Sequence, residues 1–242
     1  MKNLTRKIIK AICLLPIRLY RRALYKGVAA AVEHEKILKS ISCNTIVDIG
    51  SNKGQFALVA RKCFPDSKII SFDPLPNSGS IFKDIFIEDN NIIFHNYAIG
   101  PREGKKEIHI SKKDDSSSLL GITKLQDNLF PGTAQESIST IDMAPLDNFI
   151  KKDQIESPAL LKLDVQGFEY EALLGCNNLL NSFNYIYCEC SFVELYQNQR
   201  LADSIISFLQ KKGFVLKGFY NTSYDKNNIA IQSDFFFKKI SI

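Results

Sequence analysis

Val47-Asp48-Ile49-Gly50-Ser51-Asn52-Lys53-Gly54 follows the short run Thr45-Ile46 and precedes Phe56-Ala57-Leu58-Val59-Ala60. An apolar run, a glycine-bearing corner and an apolar-periodic segment read as strand, turn and helix start. That order builds a nucleotide-type binding corner. Nineteen residues past Gly54, Asp73 ends a second apolar run, Ile69-Ile70-Ser71-Phe72. A carboxylate there can accept hydrogen bonds from both hydroxyls of a ribose. The two signals at this spacing point to an adenosine-containing ligand.

The corner reads Asp-x-Gly-x-x-x-Gly rather than Gly-x-Gly-x-x-Gly, the pattern that seats a pyrophosphate on a helix N-terminus. Asp48, at the tip of the first strand, would repel a phosphate and suits a cationic ligand, an amino group or a sulfonium. Gly50 and Gly54 let the backbone approach a ligand with no Cβ in the way. S-adenosylmethionine meets all three demands: an amino acid end, a positive sulfur and a ribose. A nicotinamide-dependent reductase is disfavoured by the missing glycine pattern.

Outward from the corner, the apolar runs predict strands at Thr45–Ile49, Lys68–Asp73, Ile92–Tyr97, Ala159–Asp164, Tyr185–Glu189, Phe214–Tyr220 and Ile229–Phe237. Helices are expected at Ala29–Ile41, from Gly54 to near Phe64, at Ser78–Ile87, from Glu169 to Leu174 and at Ala202–Lys211, with a short one from Pro145 to Ile150. Pro74 and Pro76 stop the second strand. This β-α-β-α-β rhythm implies a parallel sheet wound with right-handed crossovers. Residues 101–140 break it and are expected to form an insertion over the active face. Within it, Glu107–Ile110 alternates like an antiparallel strand or hairpin arm.

Four blocks carry a resemblance. They are Val47–Gln55, Phe72-Asp73-Pro74, Asn96-Tyr97-Ala98-Ile99-Gly100 and Leu161–Gly175, the last reading Leu-Lys-Leu-Asp-Val-Gln-Gly-Phe-Glu-Tyr-Glu-Ala-Leu-Leu-Gly. Their order and spacing, over about residues 44–220, resemble the FkbM family of S-adenosylmethionine-dependent methyltransferases. The resemblance implies an α/β, Rossmann-like class I methyltransferase fold: a seven-stranded, mostly parallel sheet with the last strand antiparallel and helices on both faces. It also implies O-methylation of a hydroxyl on a sugar, glycan, glycolipid or similar natural product. Asp73 stands where the family often has Glu, and Gln166 where many members have Glu.

On this reading the cofactor contacts are Asp48, Gly50, Ser51, Asn52, Gly54, Asp73, Pro74, Asn96 and Ala98. Asp48 orders the loop near the methionyl amine, Asp73 clamps the ribose, and Asn96 with the Ala98 amide reaches the adenine edge. Methyl transfer to a hydroxyl needs positioning and a proton acceptor. Asp164 ranks first as base or acceptor-orienting group, then Glu169, then Glu189. Two have a structural alternative: Asp164 as a cap on the Gly167 turn, Glu169 as a first-turn helix acid. His95 reads as a core histidine and His34 as a residue of a surface helix. A non-catalytic S-adenosylmethionine-binding module remains an alternative function.

Charge separates the chain in two. Residues 1–26 hold eight cations and no acid, leaving 23 of the 31 cations against 26 acids. The body is mildly acidic, which disfavours nucleic acid as its partner. Leu4, Ile8, Ile12, Leu15 and Leu19 share a helical stripe, so residues 1–42 are read as a basic helical appendage and 43–242 as the methyltransferase domain. The stripe would either lie on an anionic membrane or dock on the domain. Lys10 and Arg18 interrupt any spanning run. The six cysteines show no metal-ligand spacing and fit buried thiols of a cytoplasmic protein, associated with a membrane if the stripe lies on one.

Overall fold

The computed structural model describes residues 17–240. At its centre β1 (Thr45–Ile49) runs parallel to β2 (Lys68–Phe72) on one side and to β7 (Ala159–Leu163) on the other, with Val47 opposite both Ile70 and Leu161. Every residue of β1 and β7 is buried, as expected for parallel strands covered on both faces. Successive side chains go to opposite layers. Val47 and Leu161 join one cluster, packed under α6 (Glu169–Gly175) and α7 (Ala202–Lys211). Ile46 and Leu160 join the other, packed under α3 (Gln55–Cys63) and α4 (Pro76–Ile85).

Further out, β3 (Ile92–His95) pairs parallel with β2, and β8 (Tyr185–Ser191) pairs parallel with β7. The last strand, β10 (Ala230–Lys239), enters antiparallel between β8 and β9 (Phe214–Tyr224). Among the described residues the main sheet has seven strands in the order β3-β2-β1-β7-β8-β10-β9. It is the class I methyltransferase arrangement expected from the sequence, α/β with helices on both faces. The order reverses between β1 and β7, so the loops that follow these two strands leave the sheet edge together.

Three segments depart from expectation. The helix expected over Ala29–Ile41 is broken into a 3-10 turn at Val32–His34 and a single helical turn, α2 (Glu35–Leu38). The amide of Ala31 donates instead to the carbonyl of Gln55 at 3.0 Å, and Val28 and Ala30 are buried, so the chain here is stitched to α3. Pro76 opens α4 at its first turn, where a missing N–H costs nothing. Residues 101–140 contain more order than an insertion loop: β5 (Gly104–Ser111) pairs antiparallel with β6 (Gln135–Ala144), which pairs parallel with β4 (Ala98–Ile99). A helix, α5 (Lys124–Leu129), follows in the same region. The arm at Glu107–Ile110 was legible. β6 was not, because its first six residues are exposed and it buries apolar side chains only at Ile141, Met143 and Ala144.

Most of the N-terminal stripe, from Leu4 to Leu15, falls outside the described residues. The described part, α1 (Arg18–Tyr25), rests on the domain. Tyr20 and Ala23 are buried in the cluster beneath α3 and α4. Arg18 and Arg22 pair with Glu88 at 3.2 and 2.6 Å, and Lys26 pairs with Asp84 at 2.5 Å. These exposed pairs add little; the buried ring carries the contact. Tyr20→Ala is therefore expected to lower the unfolding free energy by about 3 kcal/mol in urea denaturation. Tyr20→Phe should leave it unchanged or slightly higher, because the buried hydroxyl has no hydrogen-bond partner among the described residues.

Candidate active site

The loops after β1 and β7 touch through backbone. Gly50 has φ +78°, and a Cβ there would lie 1.8 Å from the carbonyl oxygen of Asp164. Gly54 has φ +94°, and a Cβ there would lie 2.7 Å from the Phe86 ring. Both glycines thus serve close packing of the chain on itself. The amides of Gly50 and Ser51 both donate to the carbonyl of Phe72, at 2.9 and 3.0 Å, which pins this corner to the end of β2.

Beside the corner opens a cavity of about 480 Å³. Of the residues singled out from sequence, Gly50, Ser51, Asn52, Asp73, Pro74, Ala98 and Asp164 line it. Asp48, Gly54, Asn96, Glu169 and Glu189 stand behind its wall. Asp73 is held from two sides: its Oδ2 accepts from the Asn52 amide and its Oδ1 from the Leu75 amide, each at 3.0 Å. Burial pushes its carboxyl up to about 6, against the pull of those two amides. The Asn96 side chain donates to the Asp73 carbonyl at 2.8 Å. Its amide braces the strand end beside Asp73. Ala98 belongs to an apolar wall with Ile108, Met143 and Phe168, against which Leu75 packs.

Asp48 is fully buried, and its partner is Lys162. The Lys162 Nζ lies 3.1 Å from Asp48 Oδ1, donates to the Gly50 carbonyl at 3.1 Å and sits 3.7 Å from Asp164 Oδ2. It also lies over the Phe56 ring at 5.5 Å. Burial works against the ammonium, but the two carboxylates outweigh it and hold its pKa above the usual lysine range. Burial raises the Asp48 carboxyl, opposed by Lys162. The sequence reading missed Lys162. Its signal was a lone cation inside an otherwise apolar strand, Ala159-Leu160-Leu161-Lys162-Leu163.

The β7 corner explains the remaining acids. Gln166, at φ +55°, donates from Nε2 to Asp164 Oδ1 at 2.8 Å and to Glu189 Oε2 at 3.0 Å, and its Oε1 accepts from the Tyr196 hydroxyl at 2.6 Å. Glu189 also accepts from Gln232 at 2.7 Å; burial, then Asp164, Asp234 and Glu169, push its carboxyl well above the ordinary range. Glu169 Oε1 accepts from the amides of Val165 and Gly167 at 3.0 and 3.1 Å. Glu169, and not Asp164, is therefore the cap on this turn. Of the three candidate acids only Asp164 reaches the cavity, with its side chain 36% exposed.

The model of the methyltransferase FkbM domain matches residues 48–216. The chain is 25% identical over 170 residues to a 2-O-methyltransferase, NoeI, of Sinorhizobium fredii, covering 68% of this chain and 70% of that one. It is 23% identical over 177 residues to a hexuronic acid methyltransferase, AglP, of Haloferax volcanii, covering 70% and 68%. Among solved structures, a methyltransferase from Streptococcus mutans in complex with SAH superposes with a TM-score of 0.49 at 8% identity, over 86% of this chain and 96% of that one.

Burial raises Glu169 to about 7. An acid with a raised folded pKa binds its proton more tightly folded than unfolded, so its contribution to stability falls as pH rises from its unfolded value through about 7. Glu169→Gln removes that loss. The stability of wild type relative to Glu169→Gln, measured by urea denaturation, is expected to decline between pH 4 and 7.5.

Proposed function

This chain belongs to the FkbM methyltransferase family, and on that premise we propose that it transfers a methyl group to a hydroxyl of a sugar, glycan or sugar-bearing lipid. S-adenosylmethionine, the methyl donor, supplies an electrophilic methyl on a positively charged sulfur when bound. The residues present suit it. The Asp73 carboxylate, oriented by two backbone amides at the cavity wall, keeps lone pairs for a ribose diol. The apolar wall of Leu75, Ala98 and Phe168 next to it suits a planar base. Gly50, Ser51, Asn52 and Pro74 would complete the cofactor side, and Asp48 would act from behind it through Lys162.

The observation that carries the proposal is that Asp73 and Asp164 open onto one cavity from opposite sides of the switch point. Asp164 is held by Gln166 and faced by Lys162, an arrangement that orients an acceptor hydroxyl. Glu169 and Glu189 support it from behind. The cavity continues beneath Ser116, Ser117 and Ser118, with Gln126, Thr133 and Gln232 on its walls. A surface of short hydroxyls and amides matches a polyhydroxylated acceptor. The 2-O- and hexuronic acid methyltransferases among its relatives support the same class.

The proposal treats residues 1–42 as an appendage and 43–242 as the methyltransferase domain, with 101–140 over the active face. Among the described residues no helix is long and apolar enough to cross a membrane. A cytoplasmic setting, with peripheral membrane contact through residues 1–26, is part of the same proposal; the five described cysteines are unpaired, which supports a reducing compartment.

The test is calorimetry with S-adenosylhomocysteine, then mass spectrometry of methyl glycosides of a hexose, a deoxyhexose and a hexuronic acid incubated with S-adenosylmethionine. Wild type should add one methyl to at least one glycoside. Asp73→Ala should weaken S-adenosylhomocysteine binding about 10-fold to 100-fold, the loss of hydrogen bonds to a charged group. Asp164→Asn should lower kcat by about 10-fold or more with the cofactor affinity kept. Unchanged binding by Asp73→Ala would refute the assigned cofactor side.

A further inference from the structure

His34 lies ahead of β1 and outside the matched residues 48–216. The broken helix described above turns its ring inward. Its side chain is 15% exposed and forms part of the cavity wall. Among the described residues its polar contacts all run through Nδ1: 3.0 Å to the Tyr187 hydroxyl, 3.2 Å to Asn221 Nδ2 and 3.5 Å to Asp234 Oδ2. Tyr187 donates to Asp234 Oδ2 at 3.1 Å, and Asn221 donates to the same oxygen at 2.8 Å.

The Tyr187 and Asp234 contacts favour a proton on Nδ1, and the Asn221 Nδ2 donor favours a bare Nδ1. The single Tyr187 proton is directed at the carboxylate, so the phenolic oxygen accepts, from Asn221 Nδ2 at 3.3 Å and on the side that faces His34. A proton on His34 Nδ1 satisfies that oxygen and faces the Asp234 carboxylate. The lone pair then sits on Nε2, on the side of the ring away from β8 and β10. Phe56 and Tyr187 meet the imidazole edge-on at 5.4 and 5.5 Å and set its plane. An imidazole that faces a buried carboxylate at Nδ1 and belongs to a cavity wall has the layout of a general base.

We propose that His34 Nε2 accepts the proton of the acceptor hydroxyl, with Asp234, Tyr187 and Asn221 as its positioning residues. The inference rests on the methyl-transfer reading above. As the acceptor oxygen bonds to the methyl carbon, the sulfur–carbon bond breaks and its electron pair remains on sulfur. The hydroxyl proton passes to Nε2. The products are a methyl ether, a neutral thioether and an imidazolium, whose charge Asp234 offsets until solvent takes the proton. Asp164 has one oxygen on Gln166 and the other facing Lys162, so the two acidic-face groups divide the work: Asp164 orients and His34 takes the proton. The charged and titratable groups around the ring are Tyr187 on β8, Asp234 on β10, Lys162 on β7, Asp48 on β1 and Glu33 on its own turn. Asn221 on β9 and Phe56 on α3 complete the surroundings without charge.

The test uses the full chain. Nitrogen-15 NMR of the imidazole, with S-adenosylhomocysteine bound, should show the proton of His34 on Nδ1, and Asp234→Asn should shift the tautomer balance toward Nε2. His34→Asn keeps an amide where Nδ1 stands and lacks the second nitrogen. On the glycoside methylated by wild type, it should lower kcat about 100-fold or more and abolish the rise of kcat with pH. Its affinity for S-adenosylhomocysteine should stay within about twofold, since a positioned base is not a cofactor ligand. A proton resident on Nε2 overturns the proposal. So does a His34→Asn variant with wild-type kcat, or one whose loss of kcat is matched by an equal loss of S-adenosylhomocysteine affinity. Wild type that binds S-adenosylhomocysteine but methylates none of the glycosides defeats the sugar assignment instead, and the tautomer still decides His34.

Discussion

The active face depends on one buried ammonium. Lys162 points from β7 into a layer built of Phe56, Ile46 and Leu160, where an unpaired cation would cost several kcal/mol. It is tolerated because three oxygens converge on it: Asp48 from β1, the Gly50 carbonyl from the following corner and Asp164 from its own strand end. Those contacts join the two strands on either side of the switch point. They also decide what each acid can do. Asp48 is consumed by the pairing and reaches the cavity only through the lysine. Asp164 keeps one face open.

A second constraint is steric. The Gly50 corner meets the Asp164 carbonyl so closely that any side chain would displace one of the two loops. The Gly167 turn is also tight: a Cβ there would lie 2.7 Å from the Tyr196 ring, and Glu169 satisfies the turn's amides from behind. Tyr196 in turn bonds Gln166, whose amide spans Asp164 and Glu189. A neutral amide at position 166 can donate to both carboxylates at once. A carboxylate there would place an acceptor against two carboxyls that now receive a donor, so Gln166 suits this chain's own arrangement of acids.

The cavity draws its walls from distant parts of the chain. The wall around Asp73 comes from the segments after β1, β2 and β3. The opposite side comes from the β5–α5 region and from residues 29–34. The latter segment lies outside the part of the chain that matches the family domain, and it brings His34, whose ring faces the Asp234 carboxylate.

Much of this was legible in the amino-acid order. β1, β2, β7, β8 and α7 fall within a residue or two of their apolar runs, because a strand buried on both faces or an amphipathic helix writes its environment into its own neighbours. The corner at Asp48–Gly54 and the acid at Asp73 were readable for the same reason: turn chemistry and strand ends are local. The exposed strand β6 left no such record. The roles of Lys162, Glu169, Asn96 and His34 left none either. Each is decided by a partner far along the chain or across a turn: Asp48 for Lys162, the Gly167 amide for Glu169, the Asp73 carbonyl for Asn96, Asp234 for His34. Local pattern determines which backbone a segment adopts; whether a buried charge is paired, capped or left facing a cavity depends on contacts that exist only once the chain has closed on itself.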